Sequence, residues 1–181
     1  MTTPTVSPAR YDAVTIFFHW LTAALVVVLA VTAFGWKYLP RDWHFKQYES
    51  LHVSLGIALG VVLIARLLWR AFAGRRLAHH ATPLVSLLSR LVHWALYGLL
   101  AAQVGFGFAL RWLQGETFSF FGLFSIPQVV TASRAMAGQV EQLHLLVAWA
   151  IVVVAFGHAA AALIHRYVFK DRVLSRMLPT G

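Results

Sequence analysis

Four uninterrupted apolar stretches limit the folds that this chain can adopt. They cover roughly residues 14–35, 51–69, 91–110 and 143–164. Each is close to the ~20 residues that an α-helix needs to cross a hydrocarbon layer of ~30 Å. Because the chain has only 181 residues, four such spans and their connections use all of it. We therefore predict one all-α membrane domain, residues 1–181, built as a four-transmembrane-helix bundle.

The distribution of basic residues predicts how this bundle is oriented. A formal net charge of +9 at pH 7 could by itself indicate nucleic-acid binding. The arginines and lysines, however, collect in the N-terminal segment, the 70–90 connection and the C-terminal tail, which four spans place on one side of the membrane. The positive-inside rule then puts both termini in the cytoplasm. We interpret the charge as a topology signal, with a lipid bilayer and no nucleic acid as partner.

The first apolar stretch is interpreted as a retained membrane span. It is longer than the about 7–15 apolar residues of a signal peptide, so cleavage is not expected. Asp12 directly precedes it and is a favourable N-cap residue, which predicts that the first helix begins there.

Cysteine is absent from the chain. This excludes disulfides, Cys-ligated iron–sulfur clusters and the covalent attachment of a c-type haem. Any haem in this protein must therefore be held non-covalently.

Four histidines within or at the ends of the apolar stretches share a spacing that leaves room beside the imidazole. Each is followed four residues later by Ala or Gly, and on a helix that residue lies on the same face. The pairs are His19 with Ala23, His52 with Gly56, His144 with Ala148, and His158 with Ala162. A flat open space of this kind fits a porphyrin. We predict that the four histidines are axial ligands of haem iron and that the small residues pack against the porphyrin.

The depths of these histidines sort them into two pairs. His52 and His144 open spans two and four on the periplasmic side, whereas His19 and His158 lie at matching depths near the cytoplasmic ends of spans one and four. Within span four, His144 and His158 are 14 residues apart, which is about four turns and roughly 21 Å. One helix would then supply one ligand to each of two stacked haems.

Arg66 is a candidate for binding a haem propionate. It follows His52 by the same 14 residues and should therefore point inward at the cytoplasmic level. A buried arginine in a membrane span needs an anionic partner, which a propionate would supply, and Arg70 one turn further is a second candidate. Snorkelling of Arg66 to the lipid headgroups is the alternative.

Two more histidines lie near the predicted cytoplasmic site without the small neighbour. His93 is at the same level on span three, but Trp94 and Tyr97 should crowd a porphyrin, so we expect it to support the site and not to ligate. His165 lies seven residues beyond His158 on the same face. It could bind a quinone headgroup, or it could be an ordinary interfacial residue.

The two connections on the periplasmic side are rich in aromatic residues. Residues 36–50 are predicted to form an interfacial loop. Residues 111–142 are the longest connection, and their phenylalanines make them apolar enough to lie along the membrane surface and cap a site from that side.

Five segments resemble the prokaryotic cytochrome b561 family, whose members are small dihaem membrane proteins. The segments are F-H-W-L at 18–21, L-H-V-S-L-G at 51–56, A-R-L-L-W-R at 65–70, H-W-A-L-Y at 93–97 and G-H-A-A-A-A-L-I-H-R-Y-V-F-K-D at 157–171. The resemblance implies two non-covalent b-type haems, bound by His19 with His158 and by His52 with His144. It also implies a bacterial inner-membrane location and electron exchange with ubiquinone. His165 matches a family histidine associated with the quinone end, and one family member is a superoxide oxidase.

Bis-histidine ligation fills both axial positions of an iron, so we expect electron transfer and no oxygen activation. The working hypothesis is a superoxide:ubiquinone oxidoreductase type of activity. Single electrons would pass from a small periplasmic donor, with superoxide suspected, through the His52–His144 level and the His19–His158 level to quinone near His165. One alternative is a quinol-oxidising cytochrome b that passes electrons to a partner protein. A haem-free bundle that assembles with other proteins is the alternative from a different class.

Overall fold

The computed structural model describes residues 10–35, 38, 43–75, 77 and 82–179, with only the backbone described at 43–45. Four long helices dominate it: α1 at Ala13–Gly35, α2 at Trp43–Phe72, α3 at Pro83–Leu113 and α4 at Arg134–Tyr167. All four are long and apolar enough to cross a membrane. The predicted four-helix membrane bundle is therefore confirmed.

Three of the helices extend beyond the predicted spans. The prediction that all of 36–50 is a loop is wrong, because α2 begins at Trp43; residues 36, 37 and 39–42 lie outside the described residues. Thr82 caps the start of α3, because its side chain accepts the Val85 N–H and proline follows it. Ser133 caps the start of α4 in the same way. Hydropathy marks the part of a helix that lies in hydrocarbon, whereas backbone hydrogen bonding continues to the next cap.

Neighbouring helices along the chain pack side by side. The centre of the bundle is a cluster of four buried side chains from three helices, Leu59, Leu63, Leu100 and Ile151. Large apolar side chains also point outward: Val27, Val153 and Phe156 are all more than 60% exposed. An apolar surface of this extent on all sides is typical of a protein that contacts lipid.

The two ends of the bundle have different structures. At one end, here called the termini end, the start of α1 meets the C-terminal segment: Tyr11 N–H donates to the Arg176 carbonyl at 3.3 Å, and Trp20 Nε1 donates to the Met177 carbonyl at 2.7 Å. A 3₁₀ helix at Leu174–Met177 forms this contact. At the other end, the hairpin end, strands β1 (Phe118–Phe120) and β2 (Phe124–Ile126) form an antiparallel pair.

The hairpin is attached to α2 close to His52. Its turn contains Phe121 and Gly122, both with positive φ. The buried Ser54 hydroxyl donates to the Ser50 carbonyl of its own helix at 2.8 Å, accepts the Phe121 N–H at 3.0 Å and lies 3.3 Å from the Ser119 carbonyl. Since α3 ends at Leu113, the connection is shorter than the predicted 111–142. This connection covers the end of the bundle where His52 lies.

Asp12 joins the start of α1 to the end of α2. Its carboxylate accepts the Thr15 N–H at 2.8 Å and the Thr15 hydroxyl at 2.7 Å, which confirms its predicted capping role. It also accepts Trp69 Nε1 and the Arg75 N–H, each at 3.0 Å. Partial burial alone would raise the pKa of this carboxyl, but the four hydrogen bonds outweigh burial and hold the pKa far below its ordinary value.

Replacing Asp12 with Ala should lower the thermal unfolding temperature of the detergent-solubilised protein at neutral pH. Loss of the cap alone costs about 1 kcal/mol. Because the folded-state pKa is depressed, the stabilisation is fully present above about pH 4, the range in which an unfolded Asp ionises, and is lost as the pH falls through the folded-state pKa. The difference between wild type and Asp12→Ala should therefore be constant above about pH 5 and shrink in acid. The control Asp12→Asn keeps an acceptor but cannot ionise; equal stability of all three proteins at pH 7 would contradict the prediction.

Candidate functional site

The four predicted histidine ligands lie at the two ends of the bundle. His19 of α1 and His158 of α4 lie towards the termini end, whereas His52 of α2 and His144 of α4 lie towards the hairpin end. The two levels are roughly 21 Å apart along α4. Each level therefore includes one of the predicted histidines from α4 and one from another helix.

The distance between the His19 and His158 rings suits a metal between them. Their centroids are 6.2 Å apart, with an interplanar angle of 70°. Two metal–imidazole bonds of about 2 Å, with half a ring on each side, require roughly 6 Å between centroids. The imidazoles of His19 and His158 thus pass a test of fit for a bis-histidine iron.

His93 is also close to His158, but its geometry is less suitable. The two ring centroids are 5.3 Å apart, which is shorter than an intervening iron requires. His93 Nδ1 donates to the Ser89 carbonyl of its own helix at 2.6 Å. The prediction that Trp94 crowds a porphyrin beside His93 is wrong, because Trp94 is 71% exposed and faces away from the site. The distance, and not crowding by Trp94, favours His19 as the partner of His158.

Arg66 points into the bundle at the termini end. Its Nη2 donates to His19 Nδ1 at 3.3 Å, and its guanidinium carbon lies 5.3 Å from the centroid of the Tyr97 ring. No carboxylate of the described residues forms an ion pair with it. Arg70, the second candidate, is exposed in the last turn of α2. The inward position of Arg66 agrees with the predicted role and not with snorkelling.

At the hairpin end, both histidines have polar contacts from other helices. His52 Nδ1 lies 3.0 Å from the Thr32 hydroxyl of α1, and His144 Nε2 lies 3.1 Å from the Gln103 amide of α3. His52 and His144 are close enough for their charges to interact. Within the described part of the chain, His144 Nδ1 is buried with no hydrogen-bond partner. A buried polar atom without a protein partner is typical of a ligand site.

The small residues next to the histidines leave space in the bundle. A Cβ built on Gly56 would meet no heavy atom of the described structure within 4 Å. Ala23, Ala148 and Ala162 are half-buried. The space beside Gly56 thus meets the steric requirement for a flat cofactor next to His52.

His165 contacts a carboxylate at the termini end. Its Nδ1 lies 2.5 Å from Asp171 Oδ2. Partial burial raises the pKa of the Asp171 carboxyl, but hydrogen bonds from the Val173 N–H and from His165 outweigh this, so that the pKa is below its ordinary value. Two open depressions of the described surface lie at the hairpin end, and His165 lines neither of them.

Thr32 and Gln103 were missed in the sequence. Both are polar residues inside otherwise apolar spans, and in lipid such residues hydrogen bond to neighbouring helices. That signal could have identified them as residues near a site, but not their histidine partners.

A four-helix membrane bundle with imidazoles paired inside it at two depths is the architecture of membrane b-type cytochromes. The sequence model of the prokaryotic cytochrome b561 family matches residues 10–180, so the chain belongs to this family. It is therefore a membrane electron-transfer protein of a family that uses b-type haem.

Three relatives align over nearly their whole length. Cytochrome b561 homolog 2 of Escherichia coli (strain K12) is 34% identical over 181 residues, which is 96% of this chain and 94% of the relative. The probable superoxide oxidase CybB of Yersinia pestis is 30% identical, over 94% of this chain and 96% of the relative. Cytochrome b561 homolog 1 of Escherichia coli (strain K12) is 27% identical, over 94% and 97%.

Proposed function

We propose that this protein holds two non-covalent b-type haems and moves single electrons between a small donor at the hairpin end and ubiquinone at the termini end. His19 and His158 hold one haem, and His52 and His144 hold the other. When bound, each haem would supply a one-electron redox centre. The ring spacing of 6.2 Å between His19 and His158 is the observation that carries the proposal.

In this proposal, Arg66 exchanges its contact with His19 for one with a haem propionate. An imidazole that ligates through Nε2 carries its proton on Nδ1, so His19 can then no longer accept from Arg66. The guanidinium, which also hydrogen bonds with Tyr97, then has an N–H available for a haem propionate, which is the anion expected at this depth. Arg70, one turn closer to the interface, is the second residue proposed to contact a propionate.

His165 is proposed to bind the quinone headgroup. Its Nδ1 is held by the Asp171 carboxylate, so Nε2 is the atom that remains to hydrogen bond with a quinone carbonyl. Reduction of a quinone to a quinol takes up two protons, and an imidazole paired with a carboxylate can pass a proton at this atom.

Superoxide is the proposed donor, and the hairpin end is proposed to face the periplasm of a bacterial inner membrane. The positive-inside distribution of charge supports this orientation. The relative from Yersinia pestis whose printed name is probable superoxide oxidase supports the choice of donor. Long-range attraction of the anion should be weak, because Glu49 and Glu116 both pair with Arg111 at this end.

The experiment uses the purified haem-loaded protein in detergent with a short-chain ubiquinone and an enzymatic source of superoxide. Two superoxide anions and two protons should convert one ubiquinone into one ubiquinol and two O₂. His165→Ala should slow ubiquinol formation while superoxide still reduces the haem spectrum. If ubiquinol reduces the protein but superoxide does not, the donor is wrong and the quinol-oxidising carrier is the correct function.

A further inference from the structure

The Thr32 side chain contacts His52 in a way that determines which nitrogen of the imidazole carries the proton. Thr32 Oγ1 donates to the Leu29 carbonyl of its own helix at 2.9 Å and lies 3.0 Å from His52 Nδ1. A hydroxyl has a single proton. Since that proton is directed to Leu29, the oxygen presents a lone pair to His52.

The Leu29 carbonyl is a second acceptor on α1 for the His52 side chain. It also hydrogen bonds with the His52 side chain. A carbonyl oxygen only accepts, so His52 is the donor in this contact. The lone pair that Thr32 presents to Nδ1 therefore selects the His52 tautomer that is protonated at Nδ1 and has its lone pair on Nε2.

We propose that Thr32 is a positioning residue that holds His52 with Nε2 ready to bind iron and thereby tunes the reduction potential of the haem at the hairpin end. The inference rests on the proposed ligation by His52 and His144. A metal-binding imidazole whose other N–H is hydrogen bonded is oriented and made a stronger electron donor. Stronger donation favours the oxidised iron, so the contact with Thr32 lowers the potential of this haem.

The two ligands of the hairpin-end level differ in this respect. His52 Nδ1 contacts the Thr32 hydroxyl of a neighbouring helix, whereas His144 contacts Gln103 through Nε2 and its Nδ1 has no partner in the described part of the chain. Among the described residues, a hydrogen bond at Nδ1 is therefore made by His52 and not by His144. Thr32 is therefore a position at which the potential of this haem can be altered through His52 Nδ1.

The test is a redox titration of the purified holoprotein, followed by both visible absorption and the low-temperature EPR signal of the oxidised haems. Thr32→Val should raise the midpoint potential of one haem, change its EPR signal and leave the other haem unaltered. Haem retention at that level should fall on the order of tenfold, the scale of effect seen when such supporting partners are lost. Thr32→Ser should restore the wild-type values, and Thr32→Ala is a second variant in case valine disturbs packing.

Thr22→Val is the matched control. Thr22 is also in α1, and its hydroxyl donates to the Phe18 carbonyl at 2.6 Å, so it loses the same kind of bond to its own helix. It should leave the hairpin-end haem unchanged. Thr32 has no positioning role if Thr32→Val and Thr32→Ala leave potential and EPR signal as in wild type, or if Thr22→Val shifts the same haem equally. Wild-type protein that binds only one haem would instead contradict the proposed function.

Discussion

Replacing His158 with Ala should remove one haem from each chain and leave the other in place. The two levels lie roughly 21 Å apart along α4, so loss of a ligand at one should hardly disturb the other. His144→Ala should likewise remove one haem, but the other one. The number of haems per chain is measured chemically. The haem that remains in each variant is identified by its midpoint potential. This is the largest effect expected of any single substitution, because an axial ligand is lost completely.

His93→Ala is the matched control for His158→Ala. The His93 ring is close to the His158 ring, but the distance of 5.3 Å between their centroids is too short for an intervening iron. The variant should keep two haems. Loss of a haem from His93→Ala but not from His19→Ala would assign the ligand to α3, and loss of both haems from each single variant would contradict two independent levels.

Replacing Arg66 with Met should weaken haem binding at the termini end. A hydrogen bond to a charged group contributes about 1.5–3 kcal/mol, which corresponds to a factor of roughly 10 to 100 in affinity. Loss of the positive charge should also lower the midpoint potential of that haem, because a nearby cation favours the reduced state. Haem retention during dilution and redox titration measure the two effects.

Arg66→Lys separates charge from geometry. It keeps the positive charge but cannot form two parallel hydrogen bonds with a carboxylate, so the potential should stay near wild type while retention falls partly. If Arg66→Met leaves both quantities unchanged, Arg66 contacts neither a propionate nor the haem-bound form of His19.

The number of helices and the approximate depth of each histidine could be predicted from the sequence. Both depend on hydropathy and on the regular rise of a helix, which are local properties of the chain. The ends of the helices could not be predicted as well. Residues 43–50 and the first turns of α3 and α4 are helical beyond the apolar stretches, because caps such as Thr82 and Ser133 determine where a helix begins.

Contacts between distant residues required the three-dimensional structure. The hydroxyl of Thr32 and the ring of His52 are on different helices, and so are Arg66 and His19. Which polar atoms meet depends on how each helix is rotated about its axis, and helical spacing alone does not determine that rotation between helices.

The sequence by itself therefore determined a four-span membrane bundle with histidines at two depths, because apolar length and residue spacing act along one chain segment at a time. Only the tertiary structure decided that His19 and not His93 has the suitable distance to His158, that Ser54 holds the hairpin over the second level, and that α1 supplies the acceptors for His52. These depend on the relative rotation and approach of separate helices, which side-chain packing determines in the folded bundle.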